Sequence, residues 1–165
     1  MNNIYVGKVV GTHGIKGEIK ILSDFQFIDK VFFVGNKIII DNKEYIIKSY
    51  RHHKKFEMIT INDYNNINDV LFLINKKVYV NGVKLDNNEI LDSDLKKYKV
   101  INSNGEIGKV LEIFMASPNN KIIRIMFKKQ VLLPIKSPYL KIDKDKKEIY
   151  IELIEGMWSK WKLIF

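Results

Sequence analysis

Apolar residues along this chain come in short runs rich in isoleucine and valine, and turn-forming residues interrupt these runs about every 8–12 residues. Asp41-Asn42-Lys43 lies between two such runs, and Asn102-Ser103-Asn104-Gly105 contains the Asn-Gly pair that tight hairpins favour. Regularly spaced short strands without intervening helices are typical of antiparallel sheets or small barrels. We therefore expect an all-β protein.

One short helix is predicted in the middle of the chain. Asn66 or Asn68 can cap it, because an asparagine side chain accepts a hydrogen bond from the free N–H groups of a first turn. Asn75 tolerates the left-handed conformation in which many helices end. The face of this helix would carry Ile67, Val70, Leu71 and Ile74.

Residues 86–94 hold four acidic side chains and no basic one, between two basic stretches. This segment predicts a linker between two small antiparallel β-barrels, with the first domain at residues 1–85 and the second at residues 95–165. A single larger barrel is the alternative. The apolar end of the chain, residues 156–165, is expected to pack back on a barrel or to form an interface.

The composition bounds the partners. The 28 Lys and Arg residues against 19 Asp and Glu give a net charge of +9, yet only two of these residues are arginines. A basic surface suits RNA or an acidic partner, but a solvated lysine-rich surface explains the charge equally well. There is no cysteine, which excludes disulfides and thiolate zinc sites and fits a cytoplasmic location. The apolar runs are far shorter than the ~20 residues of a spanning helix, so no membrane partner is expected.

Three glycines, Gly11, Gly14 and Gly17, form the densest glycine motif of the chain. A phosphate cradle would have to open a helix, whereas the residues that follow, Ile19-Lys20-Ile21-Leu22, alternate as a strand does. The motif therefore predicts a tight connection between two strands, with glycines where a Cβ would be unfavourable. Such a loop is exposed enough to touch a partner.

No catalytic constellation is evident. His52 and His53 are neighbours in a strand and face opposite ways, so they are a poor pair for chelating one ion. The chain has no Gly-x-Ser-x-Gly motif and no carboxylate pair that stands out. We expect no enzyme activity, no cofactor, no metal and no small-molecule substrate, although an enzyme on a small β-barrel remains the second alternative.

A basic run, Arg51-His52-His53-Lys54-Lys55, lies at a predicted hairpin tip. Tyr45, Tyr50 and Phe56 flank it, and such aromatics either stack on single-stranded RNA or belong to the core. The candidate RNA contacts are His13, Lys16, Arg51, Lys54 and Lys55.

Residues 6–20 (VGKVVGTHGIKGEIK) closely resemble the opening signature of the RimM family of bacterial ribosome maturation factors. Ile67-Asn68-Asp69-Val70-Leu71 falls where that family has its short helix. The second half resembles the family's PRC-barrel domain. The first matching motif is Gly105-Glu106-Ile107-Gly108-Lys109-Val110, in which Gly105 and Gly108 are expected to be structural. The further matching motifs are Leu132-Leu133-Pro134, Ile142-Asp143, Ile149-Tyr150-Ile151 and Glu155-Gly156-Met157.

The resemblance implies a non-enzymatic assembly factor with a translation-factor-like N-terminal barrel and a C-terminal PRC barrel. We expect the protein to be a monomer. It implies binding to small-subunit ribosomal protein nineteen, a protein of the subunit head, and to the immature small subunit with its rRNA. Head maturation and rRNA processing would depend on that binding. A stand-alone RNA-binding module without a ribosomal-protein partner is the alternative.

The family usually has an aromatic pair where this chain has Ile90-Leu91. We expect these two residues to be exposed and to dock the ribosomal protein by apolar burial. The acids Glu89, Asp92 and Asp94 would attract a basic partner. The residues expected at the protein interface are Ile90, Leu91, Asp94, Ser117, Asn119, Asn120, Leu132 and Pro134.

Overall fold

The structure is a computed structural model that describes residues 3–154. It divides the chain into two compact units, Met1–Glu89 and Ile90–Phe165, called here the first and the second unit. Each unit is built on six strands, which confirms the expected all-β class. The apolar end of the chain, whose packing was predicted above, lies outside the described residues.

The first unit is a closed barrel with the strand order β1-β2-β5-β4-β3-β6, in which β6 pairs back on β1. Its strands are β1 (Ile4–His13), β2 (Glu18–Leu22), β3 (Lys37–Ile40), β4 (Lys43–His53), β5 (Phe56–Ile61) and β6 (Lys77–Val80). Alternate residues point inward, so that Ile19, Ile21, Ile38, Ile40 and Ile59 are fully buried. Each such side chain contributes about 1.5–3 kcal/mol of burial free energy.

The second unit is a six-stranded sheet in the order β10-β9-β8-β7-β12-β11. Its strands are β7 (Lys99–Asn102), β8 (Ile107–Ser117), β9 (Asn120–Met126), β10 (Gln130–Pro134), β11 (Leu140–Asp143) and β12 (Glu148–Ile151). Four pairings are antiparallel, whereas β12 pairs with β7 in parallel, which differs from the antiparallel expectation. A parallel pair needs a long connection between its strands, and β8 to β11 provide it.

The segment predicted as a helix forms two 3₁₀ turns instead, Ile67–Asp69 and Leu71–Leu73. Val70 and Leu73 are buried, and this spacing of three matches the 3₁₀ period. The predicted ends hold: the Asn66 side chain accepts a hydrogen bond from the N–H of Asn68 at 3.0 Å, and Asn75 has a φ of 70°. The α-helix prediction for this segment is wrong.

A single turn of α-helix, α1 (Asp92–Leu95), lies at the start of the second unit. Its N-terminal turn forms because the carbonyl of Leu91 accepts hydrogen bonds from the N–H groups of Asp94 and Leu95. Within residues 3–154, no helix has the length and apolar character that crossing a bilayer requires.

Candidate functional site

The glycine loop, residues 14–17, connects β1 to β2. Gly14 and Gly17 have φ values of 66° and 73°, which residues with a Cβ rarely adopt. A Cβ on Gly17 would lie 2.7 Å from the carbonyl oxygen of Asn66, whereas a Cβ on Gly14 would have nothing within 4 Å. Gly17 is therefore constrained by conformation and by space, and Gly14 by conformation alone.

The other predicted structural glycines differ among themselves. The expectation that a Cβ would be unfavourable does not hold for Gly11, because a Cβ there would meet nothing within 4 Å. Gly105 has a φ of 76° in the β7–β8 turn, and a Cβ on Gly108 would lie 2.6 Å from the carbonyl oxygen of Met126. Gly7 was missed: a Cβ there would lie 2.7 Å from the carbonyl oxygen of Leu22.

The glycine loop places Lys16 beside a concavity of the first unit. The carbonyl of Ile15 accepts a hydrogen bond from the N–H of Ile67 at 3.0 Å, which ties the loop to the first 3₁₀ turn. His13 and Lys16 are both exposed. The concavity, about 500 Å³ in volume, is lined by Lys16, Lys48, Ser49, Thr60, Tyr64 and Asn65.

The hairpin tip, Lys54 and Lys55, is the predicted turn between β4 and β5. Both lysines are exposed, and Lys54 has a φ of 58°. The ammonium nitrogen of Lys55 lies 5.5 Å from the ring centre of Phe56, and that of Lys20 lies 5.1 Å from the same centre. Lys55 of the tip and Lys20 of β2 therefore place two positive charges next to one aromatic ring.

Arg51, also expected to contact RNA, is engaged within the barrel wall. Its Nε and Nη2 donate to the two carboxylate oxygens of Glu18 at 2.7 and 2.6 Å. The hydrogen bond from Arg51 lowers the pKa of Glu18 from its ordinary value. The Nε–Nη2 edge of this guanidinium is therefore occupied by a carboxylate and is not available for a bidentate contact with a phosphate.

The aromatic residues near the hairpin tip belong mainly to the core. Tyr45 is 5% exposed, and Tyr50 packs against the core with its ring stacked 6.3 Å from that of Phe32. Of the two neighbouring histidines, His52 and His53, the first places its Nδ1 2.9 Å from Oε1 of the buried Glu57. Over the described part of the chain, no group of three or more His, Cys, Asp or Glu side chains could hold a metal ion.

The structure brings several residues of the expected protein interface together in the second unit. Ser117 pairs with Asn120 at the turn between β8 and β9. Asn119, Asn120 and Pro134 line one concavity of about 300 Å³, next to Met115, which is 52% exposed. Leu132 lies on the same strand as Pro134, two residues earlier, and pairs with Arg124.

The expectation that Ile90 and Leu91 are exposed at the protein interface does not hold in full. Leu91 is only 8% exposed, and Ile90 packs against the core of the second unit, so the prediction of two exposed aliphatic residues is wrong for Leu91. The carbonyl of Leu91 accepts the first hydrogen bonds of α1, so Leu91 is fixed at the start of a helix rather than held in an open linker.

The acidic residues are already paired with lysines of this chain. Nitrogen–oxygen distances are 2.7 Å for Lys30–Glu89, 2.9 Å for Lys121–Asp92 and 3.0 Å for Lys97–Asp94. The acidic segment therefore presents less negative charge to a partner than the sequence alone indicates.

Comparison with known proteins accounts for both units. The family model of the RimM N-terminal domain matches residues 4–85, and that of the PRC-barrel domain matches residues 87–157. A ribosome maturation factor RimM from Ligilactobacillus salivarius is 37% identical over 169 aligned residues, which cover 95% of this chain and 99% of that protein. The chain belongs to the RimM family.

Two further proteins are similar to this chain. The ribosome maturation factor RimM of Staphylococcus aureus strain JH9 is 34% identical over 164 aligned residues, covering 93% of this chain and 98% of that protein. A crystal structure of a RimM protein from Pseudomonas aeruginosa, described as processing 16S ribosomal RNA, aligns with 93% of this chain and 98% of its own at 16% identity. Its TM-score against this chain is 0.43.

Proposed function

We propose that this protein assists maturation of the small ribosomal subunit by binding to the immature particle, without catalysing a reaction. The observation that carries this proposal is the full-length match. Relatives named ribosome maturation factor RimM align with more than nine-tenths of this chain and with nearly all of their own length. Both units therefore have counterparts in proteins of that name. The proposed location is the cytoplasm, where ribosomes assemble.

The second unit would dock small-subunit ribosomal protein nineteen. The support is the concavity at the β8–β9 turn, where the amides of Asn119 and Asn120 stand beside Pro134 and the exposed Met115. Side-chain amides around an apolar patch are the composition of an ordinary protein interface. Leu132 would extend the apolar part of that patch.

The first unit would meet the immature rRNA. Its exposed lysines at the glycine loop and at the hairpin tip offer positive charge to phosphates. With both contacts made by one monomer, the head protein and its RNA would be held together transiently. Such holding favours the RNA conformations that bind the factor, and it lowers the population of misfolded ones.

Complementation in a bacterium that lacks its own RimM tests the proposal. The strain should accumulate unprocessed small-subunit rRNA, and expression of this chain should restore the processed form. A chain that is expressed and folded but leaves the precursor unprocessed would contradict the proposed function. The second unit expressed alone serves as the control for a contribution of the first.

A further inference from the structure

The concavity beside the glycine loop is lined only by basic, hydroxyl, amide and phenol side chains. We propose that it binds a backbone phosphate of single-stranded RNA, and that Phe72 at its margin stacks on a neighbouring base. That the partner is RNA rests on the proposed function. The position of the site rests on the geometry of four elements of the first unit.

A β-bulge in β4 creates the floor of the concavity. Ile47 pairs with Ile61 and Ser49 pairs with Thr60, so that Lys48 is an extra residue without a partner in β5. Because of this extra residue, Lys48 and Ser49 both point away from the core, although they are adjacent in sequence. A regular strand would have turned one of the two inward.

The glycine loop provides the second wall. The close approach of Gly17 to the carbonyl of Asn66, and the hydrogen bond from the N–H of Ile67 to the carbonyl of Ile15, hold the loop against the segment that contains Asn65. Lys16 is carried between these two anchor points and faces the same space as Lys48. The glycine motif therefore has a functional consequence: it positions a cation.

The lysines that line this site are available to an anion. Among the described residues, Lys16, Lys43 and Lys48 form no ion pair, in contrast to Lys76, which lies 3.0 Å from Asp41. Lys48 donates to the Oδ1 of Asn65 at 3.0 Å, a neutral partner that orients the ammonium group without cancelling its charge. A phosphate placed there would be met by two point charges.

Two hydroxyl groups complete the phosphate site. The hydroxyls of Ser49 and Thr60 share a hydrogen bond of 2.5 Å on the exposed surface of the bulge, so one O–H of the pair remains free to donate. Serine and threonine hydroxyls commonly donate to phosphate oxygens in nucleic-acid complexes.

An aromatic row continues from the concavity. The ring of Tyr64, which lines it, lies 5.7 Å from that of Tyr45 and 6.4 Å from that of Phe72. Lys43 donates to the Tyr64 hydroxyl at 2.9 Å, and Asp63 is near enough to act on the charge of Lys43. Phe72 is 52% exposed, which leaves a ring face free for a base. Lysines and an exposed ring along one row match the phosphate and the base of an unpaired nucleotide, whereas the Asp and Glu side chains of an acidic peptide offer no ring to stack.

Binding of a fluorescent single-stranded oligoadenylate to the full chain tests the charges. The double variant Lys16→Glu with Lys48→Glu should bind at least about tenfold more weakly. The dependence of log affinity on log salt should become shallower by about 0.7 for each phosphate that the variant no longer neutralises. Lys96→Glu with Lys129→Glu, at two exposed lysines of the second unit, makes the same change in net charge. Equal weakening by both pairs would overturn the proposal.

A second pair of variants tests the ring. Phe72→Leu should weaken binding about tenfold, whereas Phe33→Leu, at a phenylalanine that is 45% exposed elsewhere in the same unit, should leave it unchanged. Polyglutamate that competes as well as the oligoadenylate would overturn the RNA assignment.

If the Lys16/Lys48 variant binds the oligoadenylate like the parent while the parent still restores rRNA processing, this site is wrong and the proposed function stands. If the parent fails to restore rRNA processing but the variants lose oligoadenylate binding as expected, the RNA site is supported and the proposed function is wrong.

Discussion

The phenol of Tyr50 donates a 2.8 Å hydrogen bond to Oε2 of Glu57, a carboxylate whose side chain is 4% exposed. Glu57 lies on the inward face of β5 in line with Ile59 and Ile61, and His52 contacts its other oxygen. A buried carboxylate oxygen without a partner is costly. These two contacts therefore hold β4 to β5 directly behind the basic hairpin tip.

Tyr50 should make the stability of the first unit sensitive to alkaline pH. Burial, followed by the hydrogen bond to Glu57, raises the pKa of Tyr50 from 10.0 to about 12. The folded state thus keeps the phenol proton longer than the unfolded state does. The contribution is fully present below about pH 10 and is lost as the pH rises through about 12. Urea unfolding should show a steeper loss between these values for the parent than for Tyr50→Phe, and identical slopes would refute the assignment.

The pair of Glu18 and Arg51 should act on the acid side. The hydrogen bond from Arg51 lowers the pKa of Glu18 below 4.5, so the pair stabilises the folded state above that value. Its contribution is lost as the pH falls through the lowered pKa. Arg51→Gln should flatten the acid limb of a plot of melting temperature against pH. Lys37→Gln, which removes the exposed partner of Glu44, is the matched control and should alter the limb less.

The two glycines of the glycine loop should differ in their tolerance of alanine. Both have a positive φ, which costs a residue with a Cβ about 1–2 kcal/mol. Gly14→Ala should lower the free energy of unfolding by about that amount, and Gly17→Ala by more, because its Cβ would also meet the Asn66 carbonyl. Chemical denaturation of both variants measures the difference. Equal losses would mean that the approach of the loop to Asn66 is not tight.

Leu132 should contribute to docking of the ribosomal protein without supporting the core. Leu132→Asp should weaken capture of purified small-subunit protein nineteen by about 2 kcal/mol, or roughly 30-fold. Leu111→Asp, at a leucine of β8 that is 36% exposed, is the control for placing a charge on the same unit. Similar melting temperatures with unequal capture would support the site. Equal capture by the two variants would show that Leu132 does not belong to the docking surface.

Local sequence predicted the parts of the fold that local chemistry determines. Asp41 and Asn42 take positive φ values of 52° and 63° in the β3–β4 turn, as the Asp-Asn pair indicated. The lysines of the hairpin tip lie where two apolar runs meet. The packing of Ile90 was not predictable, because Ile90 packs against a core contributed by strands later in the chain.

The candidate site depended on pairing between strands, which no single segment encodes. The outward direction of Lys48 results from the register of β4 against β5, and Arg51 is held by a hydrogen-bonded ion pair with Glu18 of β2. Lys16 was expected to contact RNA, but its partners Lys48, Tyr64 and Asn65 come from distant parts of the chain. Only the folded barrel places them around one space.

Sedimentation of the tagged protein from a bacterial lysate tests the central claim, that this chain acts by binding immature small subunits. On a sucrose gradient we expect the protein in fractions that contain small-subunit precursors with unprocessed rRNA, together with small-subunit protein nineteen. Mature subunits should carry little of it. A protein that stays at the top of the gradient, or that migrates only with free RNA, would contradict the account and favour a stand-alone RNA-binding module.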